Sequence, residues 1–262
     1  MKNKIKMILN FLWGRNINNS PRIIYYHSIH PSNPLSHSLE SFEEQLCWLK
    51  NNGYICPKIS EIKDYLNSEK VVFITFDDGY YDNRLYALPL LKKYNFNATF
   101  FISTGYINEG FRFKSDEGNM LYEGLEMMNK TDLQVLANSG MDIGCHGVSH
   151  QMISKLSLEL QEKELIESKR FLEEVLDIEI ISFAYPNGQK GAISSHLNVF
   201  AFNNGIKYVC TTLWGTKNND ESILSRCEMS NEDNLTEFIC KIRGKRDYRF
   251  FIDRIIDKSK VW

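Results

Sequence analysis

The sequence has no CxxC pair, no dense cysteine spacing and almost no net charge. Its six cysteines are scattered at positions 47, 56, 145, 210, 227 and 240, unlike those of a small disulfide-linked secreted domain. We therefore expect reduced, mostly buried thiols. A formal net charge of -2 over 262 residues gives no field that would attract nucleic acid, and no nucleic-acid-binding module is recognisable.

Long apolar runs are also missing. The stretch Met7–Trp13 is interrupted by Asn10 and followed by Gly14-Arg15 without a small-x-small cleavage site, so it makes a poor signal peptide and is too short to span a membrane. The basic C-terminal stretch 241–262 fits either a membrane-surface helix or a terminal helix packed on the domain. We expect a cytoplasmic protein, or one peripheral on the inner membrane face through its basic ends, with export as the alternative.

No repeat or Pro/Gly-rich linker divides the chain, and 43% hydrophobic with 24% charged residues is ordinary globular composition. We expect a lead-in over 1–20, one main domain over 21–226 and a helical extension over 227–262. Short apolar runs alternate with amphipathic helical patterns, which predicts a parallel sheet. The predicted strands are Arg22–Tyr26, Val71–Phe76, Ala98–Ile102, Met141–Cys145, Ile180–Tyr185 and Tyr208–Thr212, with a weaker one near Tyr54–Cys56. The predicted helices are Ser41–Asn52, Tyr86–Tyr94, Thr131–Asn138 and Ser157–Leu176.

Polar residues follow several of these strands, which favours a closed α/β barrel over an open sheet, because a barrel gathers its active site at the strand ends. Asp77 and Asp78 come directly after one predicted strand. An Asp in a turn beside Gly explains one carboxylate more easily than two. An aspartyl nucleophile of a phosphotransferase also follows a strand, so the pair alone leaves that reaction open.

Two histidines four residues apart, His146 and His150, follow another predicted strand. With one carboxylate oxygen they can form a three-ligand metal site that keeps positions open for water and substrate. The alternative for each histidine is a hydrogen-bonded, partly buried side chain. Their spacing after a strand favours the catalytic metal site.

Together these segments resemble the polysaccharide deacetylases with a NodB-like domain, carbohydrate esterase family four, over about residues 22–226. The first two motifs are similar to Thr75-Phe76-Asp77-Asp78-Gly79 and His146-Gly147-Val148-Ser149-His150. Phe183-Ala184-Tyr185-Pro186-Asn187-Gly188 resembles the third motif of one bacterial branch. Tyr25-Tyr26-His27-Ser28-Ile29 and Phe42-Glu43-Glu44-Gln45-Leu46 resemble that branch's opening.

The resemblance implies a distorted (β/α) barrel of about seven parallel strands. It also implies that Asp78, His146 and His150 bind a divalent metal, usually zinc, and that Asp77 is the general base. A backbone N–H in the loop Tyr185-Pro186-Asn187 would stabilise the oxyanion. The implied reaction is the hydrolysis of an N-acetyl group on a carbohydrate.

Many family members carry a general-acid histidine late in the domain, but no histidine follows His196 here. In the branch that deacetylates poly-N-acetylglucosamine this acid is on the first strand, and His27 occupies that position. A capping or packing histidine is the other interpretation of His27, and His30 is a weaker substitute for the acid.

Three departures from the family pattern bear on the site. Ala184 replaces an Arg that orients the catalytic Asp, and we expect Arg226 to take over that role. Asn187 stands where an aromatic residue is common. Trp214 is at best a loose counterpart of the fourth-motif Trp, as a wall of the substrate groove or as a core residue.

The insertion at residues 106–130 is longer than a typical βα loop. Its aromatic residues Phe111, Phe113 and Tyr122 are expected either to stack on sugar rings or to anchor the loop. Other functions remain open at this point. They are a cytoplasmic deacetylase or deformylase of a lipid- or nucleotide-linked sugar, and a carbohydrate-binding pseudoenzyme.

Overall fold

The computed structural model of the protein describes residues 19–107, 125–215 and 222–250. The strands are β1 Arg22–Tyr26, β2 Ile29–His30, β3 His37–Ser38, β4 Val72–Phe76, β5 Thr99–Ile102, β6 Asp142–Cys145, β7 Ser182–Ala184, β8 Tyr208–Cys210, β9 Ile223–Leu224 and β10 Cys227–Glu228. The α-helices are α1 Leu39–Asn51, α2 Leu88–Tyr94, α3 Lys130–Asn138, α4 Leu158–Leu176, α5 Ser195–Asn203 and α6 Leu235–Ile242. A π-helical turn covers Asn83–Ala87, and 3-10 turns cover Ile59–Tyr65, Thr104–Tyr106, Ile153–Lys155 and Lys190–Ala192.

Eight strands form one parallel sheet in the order β10-β1-β4-β5-β6-β7-β8-β9. Residues 223–228 join its two edges, because β9 pairs with β8 while β10, after a break at Ser225-Arg226, pairs with β1. Taken as one interrupted strand, this run gives seven strand positions in the described part of the sheet. The predicted distorted α/β barrel is confirmed.

The helices cover the sheet with apolar faces that the sequence periodicity predicts. Helix α1 begins two residues before the predicted start, because the side chain of Ser38 rather than that of Ser41 accepts the capping hydrogen bond. Its Phe42, Leu46 and Leu49 are fully buried against the sheet. The ends of the other predicted helices and strands shift by a few residues at most, as expected for boundaries read from periodicity.

The predicted boundary at 226/227 falls inside the strand run that joins the sheet edges. The described part of the C-terminal extension is integral to the fold. Arg22 of β1 donates to Asp247 at 2.8 Å and to the carbonyl of Ile242 at 2.6 Å. The weaker strand predicted near Tyr54–Cys56 is reduced to a single bridge between Ile55 and Val71.

All six cysteines are free thiols, and four of them are buried, as predicted. No helix among the described residues has the length and apolar character needed to cross a bilayer. Basic residues in the described part of stretch 241–262 make internal ion pairs, Lys241 with Asp233 and Arg246 with Glu237. The predicted lead-in up to residue 18, the aromatics Phe111, Phe113 and Tyr122, and the end of the chain from residue 251 lie outside the described residues.

Candidate metal centre and catalytic carboxylate

The backbone after β4 turns two consecutive carboxylates toward the same end of the barrel. The N–H of Asp77 still donates to the carbonyl of Tyr26 at 2.9 Å, which continues the pairing of β4 with β1. Asp78 then adopts a left-handed conformation, with φ of 78°, and Gly79 follows at 94°. Positive φ at a non-glycine residue is costly and is concentrated at functional sites. The turn gives the two side chains different surroundings.

Asp77 forms a buried bidentate ion pair with Arg226. The guanidinium donates to both carboxylate oxygens, at 2.6 and 2.8 Å. Asp77 is 2% exposed and Arg226 is 0% exposed. Burial alone would raise the pKa of Asp77. The charge of Arg226, the interaction with His146 and the hydrogen bonding from Arg226 together outweigh burial, so this pKa lies below its usual value. Asp77 is therefore held ionised in one orientation.

The break between β9 and β10 places the guanidinium of Arg226 inside the barrel. It also donates to the Thr75 hydroxyl and the Thr211 carbonyl, both at 3.1 Å. The ring of Tyr25 lies 4.8 Å from the guanidinium carbon. Arg226, the expected replacement for the missing third-motif Arg, thus lies in contact with Asp77.

Asp78, His146 and His150 come together as a possible three-ligand metal site. One ligand atom from each lies within 4.8 Å of the others. The Nε2 atoms of His146 and His150 are 3.4 and 3.1 Å from Oδ1 of Asp78. Burial raises the pKa of Asp78, but His150 and His146 lower it more, so it is held well below its usual range.

The donor set fits a cation. Nδ1 of His146 is 2.8 Å from the carbonyl oxygen of Ala184, and since a carbonyl can only accept, Nδ1 is the donor and a neutral ring presents a lone pair at Nε2. That lone pair faces Oδ1 of Asp78, which is buried and receives no hydrogen bond of acceptable geometry from the described residues. Acceptors directed at one another are stabilised by a metal ion between them.

Glu164 of α4 fixes the loop that carries both histidines. Its carboxylate accepts from the backbone N–H groups of Val148 and Ser149, at 2.7 and 2.9 Å, and from the Ser149 hydroxyl at 2.6 Å. A Cβ at Gly147, where φ is 77°, would lie 3.0 Å from the same carboxylate. The loop is therefore held from behind by one acidic side chain.

Replacing Glu164 by Ala should weaken metal binding by about 10- to 100-fold, because supporting residues behind metal ligands have effects of that size. The measurement is zinc affinity by competition with a chromogenic chelator. Glu167→Ala is the matched control, since Glu167 lies on the same helix, is half exposed and pairs only loosely with Lys163, at 3.8 Å. Unchanged affinity in Glu164→Ala would show that the loop needs no such support.

His27 follows β1 at the same end of the barrel as the two carboxylates. Its ring is exposed and meets the edge of Tyr25 with centroids 5.6 Å apart. His27 contributes to lowering the pKa of both Asp77 and Asp78. His30, in contrast, uses Nδ1 to accept from the backbone N–H groups of Ser32 and Asn33. His27 is thus exposed and acts on both carboxylates, whereas Nδ1 of His30 is already bonded to the backbone.

Two of the three residues in the predicted oxyanion loop after β7 have no N–H to offer a substrate. The Tyr185 side chain is fully buried, and its hydroxyl donates to the Ser194 carbonyl at 2.8 Å. The N–H of Tyr185 donates to the carbonyl of Cys210 at 3.0 Å, and Pro186 has no N–H. Asn187, exposed and with φ of 63°, holds the remaining N–H of the three residues.

The structure does not support the prediction that Trp214 forms a wall of the substrate groove. Its side chain is 1% exposed and belongs to the main hydrophobic core. The indole N–H donates to Asp247 at 3.2 Å, and Arg249 stacks on the ring. A buried, hydrogen-bonded Trp is a core residue, which is the second of the two predicted interpretations.

Sequence reasoning missed Glu164 and the pair Asp82 and Asn83, which contact the loop after β1. Glu164 is 15 or 16 residues from the loop that it supports, and on the sequence it is one of many charges on α4. Asp82 and Asn83 could have been predicted to bond to nearby backbone, because polar side chains just before an apolar helix often do so.

Comparison with known proteins agrees with this geometry. A family model described as polysaccharide deacetylase matches residues 65–208, more than half of the chain. A putative polysaccharide deacetylase of Bacillus subtilis, YxkH, is 31% identical over 172 residues, 64% of this chain and 56% of that protein. A poly-beta-1,6-N-acetyl-D-glucosamine N-deacetylase of Staphylococcus aureus is 28% identical over 206 residues, 71% of this chain and 66% of that protein. The chain thus spans less than two thirds of the length of these two relatives.

Solved structures share the fold. The deacetylase PplD of Streptococcus pyogenes, in complex with acetate, superposes with a TM-score of 0.71 at 25% identity, covering 85% of this chain and 98% of that one. IcaB of Ammonifex degensii superposes with a TM-score of 0.73 at 21% identity, covering 87% and 98%. Since its sequence matches the family model over the segment that carries the two carboxylates and both histidines, the chain belongs to the polysaccharide deacetylase family.

Proposed function

We propose that this protein is a metal-dependent hydrolase that removes N-acetyl groups from a polysaccharide or glycan precursor, releasing acetate and leaving a free amine. The observation that carries the proposal is the buried pair of Asp77 with Arg226 next to the cluster of Asp78, His146 and His150. A carboxylate kept ionised beside a possible metal site, but not part of it, is suited to act as a base.

In this proposal Asp78, His146 and His150 hold the metal, and zinc suits two imidazoles and one carboxylate. When bound, such an ion supplies a Lewis acid that polarises the amide carbonyl and acidifies water. Three protein ligands leave room for substrate at the site, as catalytic rather than structural centres require.

Asp77 takes the proton of the attacking water. The two hydrogen bonds from Arg226 direct its carboxylate and keep it ionised, since a protonated Asp77 could not act as a base. The backbone N–H of Asn187 donates to the oxygen that becomes negatively charged during the attack. Asn187 is the donor because the N–H of Tyr185 is already bonded within the sheet.

His27 donates a proton to the departing amine, which leaves poorly as an anion. Its position after β1, close enough to affect both carboxylates, supports this role. Base and acid then come from neighbouring strands, since Tyr26 of β1 pairs with Phe76 of β4.

For the substrate, we propose a polymer of N-acetylglucosamine, the class named for the Staphylococcus aureus relative. The test is acetate release by the zinc-loaded protein from an N-acetylated β-1,6-linked glucosamine oligosaccharide, beside a nucleotide-linked N-acetyl sugar. We expect the oligosaccharide to be turned over faster. Preference for the nucleotide-linked sugar would indicate an enzyme that acts on sugar precursors instead of on the polymer. If the metal-loaded protein released no acetate from either substrate, the proposed function would be contradicted.

A further inference from the structure

A cluster of buried polar side chains lies under the turn that carries His27 and has no part in the chemistry proposed above. It consists of Ser28, Ser36, Asp82 and Asn83, which are between 0% and 6% exposed. Burying so many polar groups is unfavourable unless they bond to one another or to the backbone. Their contacts converge on the residues that follow β1.

Asn83 contacts His27 itself. Its Nδ2 donates to the backbone carbonyl of His27 at 2.7 Å. Asn83 begins the π-helical turn Asn83–Ala87, and π-helical turns often occur at functional sites. It is also only six residues after Asp77. One short segment therefore carries both the proposed base and a contact to the proposed acid.

Asp82 contacts Ser28, the next residue of the same turn. The Ser28 hydroxyl donates to Oδ2 of Asp82 and also contacts the hydroxyl of Ser36. Burial raises the pKa of Asp82 to about 7, although hydrogen bonds from Ser28 and from the backbone N–H groups of Ile29 and Asn83 lower it. Among the residues that the structure describes, no basic side chain pairs with this carboxyl, so the hydrogen bond from Ser28 ties it to the turn after β1.

The need for such contacts follows from the end of β1. Sheet pairing with β4 ends at Tyr26 and Phe76, and the pairing of β2 with β3 begins only at Ile29. The carbonyl of His27 lies between these two pairings, and the side chain of Asn83 supplies its hydrogen bond from the β4 side. The His27 ring is exposed and meets the edge of Tyr25, so the orientation of the His27 backbone limits where the imidazole can lie.

We propose that Asp82 and Asn83 are positioning residues that clamp the His27–Ile29 turn and thereby hold the His27 imidazole in reach of the departing amine. The proposal rests on the proposed function, in which His27 is the general acid. Neither residue touches the substrate. Their effect is confined to the step in which the leaving group is protonated.

The experiment compares two substrates of the zinc-loaded enzyme that differ in their need for an acid. An N-acetylated β-1,6-linked glucosamine oligosaccharide releases an amine, whereas 4-nitrophenyl acetate releases a phenolate that needs no proton. In Asn83→Leu, which removes the donor at similar volume, kcat for the oligosaccharide should fall by about 100-fold, the lower end of a general acid's contribution. KM, metal content and kcat for 4-nitrophenyl acetate should stay near their wild-type values.

Asp82→Asn is the second variant, since it keeps the shape of the carboxyl, and it should show the same selective loss to a smaller degree. Asp142→Asn is the control, a partly buried carboxylate at the start of β6 that accepts from the N–H of Ser60 at 2.9 Å, and it should not discriminate between the two substrates. Equal losses on both substrates, or no loss in Asn83→Leu, would overturn the clamp. Wild-type protein that cleaves the ester but never the amide would instead overturn the proposed function, and the clamp with it.

Discussion

Replacing Asp77 by Asn is expected to lower kcat for acetate release by about 10²- to 10⁴-fold while metal content stays at the wild-type level. Asn cannot accept the proton of the attacking water, so the base is lost. Metal should remain, because the cluster of Asp78, His146 and His150 does not include Asp77. The measurements are the rate of acetate release and metal analysis of the same purified sample.

His146→Ala is the companion variant and should lose both metal and turnover, since it removes a proposed ligand. Asp77→Asn also leaves Arg226 as a buried cation without its carboxylate, so folding must be checked by circular dichroism at the assay temperature. A folded Asp77→Asn variant with wild-type activity would contradict the assignment of the base. Loss of metal from that variant would place Asp77 among the ligands.

Arg226→Met should have the second large effect, lowering the free energy of unfolding by about 3–5 kcal/mol at neutral pH. The variant keeps the carboxylate of Asp77 buried but removes both hydrogen bonds and the charge that offset its burial. The pKa of Asp77 should therefore rise, so that a smaller fraction is ionised and activity also falls. Urea denaturation measures the stability, and acetate release measures the activity.

The pH dependence of this loss has a definite sign. In the wild type the pKa of Asp77 is lowered, so the pair contributes stability above the pKa of the unfolded chain, and this contribution disappears as the pH falls through the folded value. The difference between wild type and Arg226→Met should therefore be largest at neutral pH, begin to shrink as the pH falls through the raised pKa of Asp77 in the variant, and shrink further below about pH 4, where Asp77 of the wild type is also protonated. The double variant Asp77→Asn/Arg226→Met should be more stable than Arg226→Met alone, because neither charge of this pair remains.

Arg246→Met is the control for Arg226→Met. Arg246 also donates twice to one carboxylate, that of Glu237, but the pair is partly exposed. Its loss should cost about 1 kcal/mol or less. Equal destabilisation by the two substitutions would show that the buried pair of Asp77 with Arg226 contributes no more to the free energy of unfolding than a partly exposed pair.

Much of the site can be predicted from the sequence because its residues follow strongly apolar strands. The strands before Asp77 and His146 are buried along most of their length, and a polar residue at the end of such a run stands out. Their parallel alignment brings these strand ends to one side of the barrel. The spacing of His146 and His150 then indicates a cation-binding site even when the fold is unknown.

Other parts of the site depend on tertiary contacts without a local signal. Arg226 lies 149 positions from Asp77 and between two strands of two residues each, which are too short to show alternation. For Trp214 the sequence suggests a role that burial excludes. A tryptophan in a loop can contact a sugar, but the side chain of Trp214 is buried. Helix α5 was missed because apolar residues lie on most of its surface and leave no clear stripe.

The metal centre is the claim on which base, acid and substrate all depend, and metal analysis tests it most directly. Zinc content should be measured in the purified wild-type protein and in His150→Ala, each after incubation with zinc and removal of the excess. We expect about one ion per wild-type chain, as for a mononuclear centre, and a large loss in the variant. Absence of metal from both proteins, or equal metal in both, would contradict the proposed site.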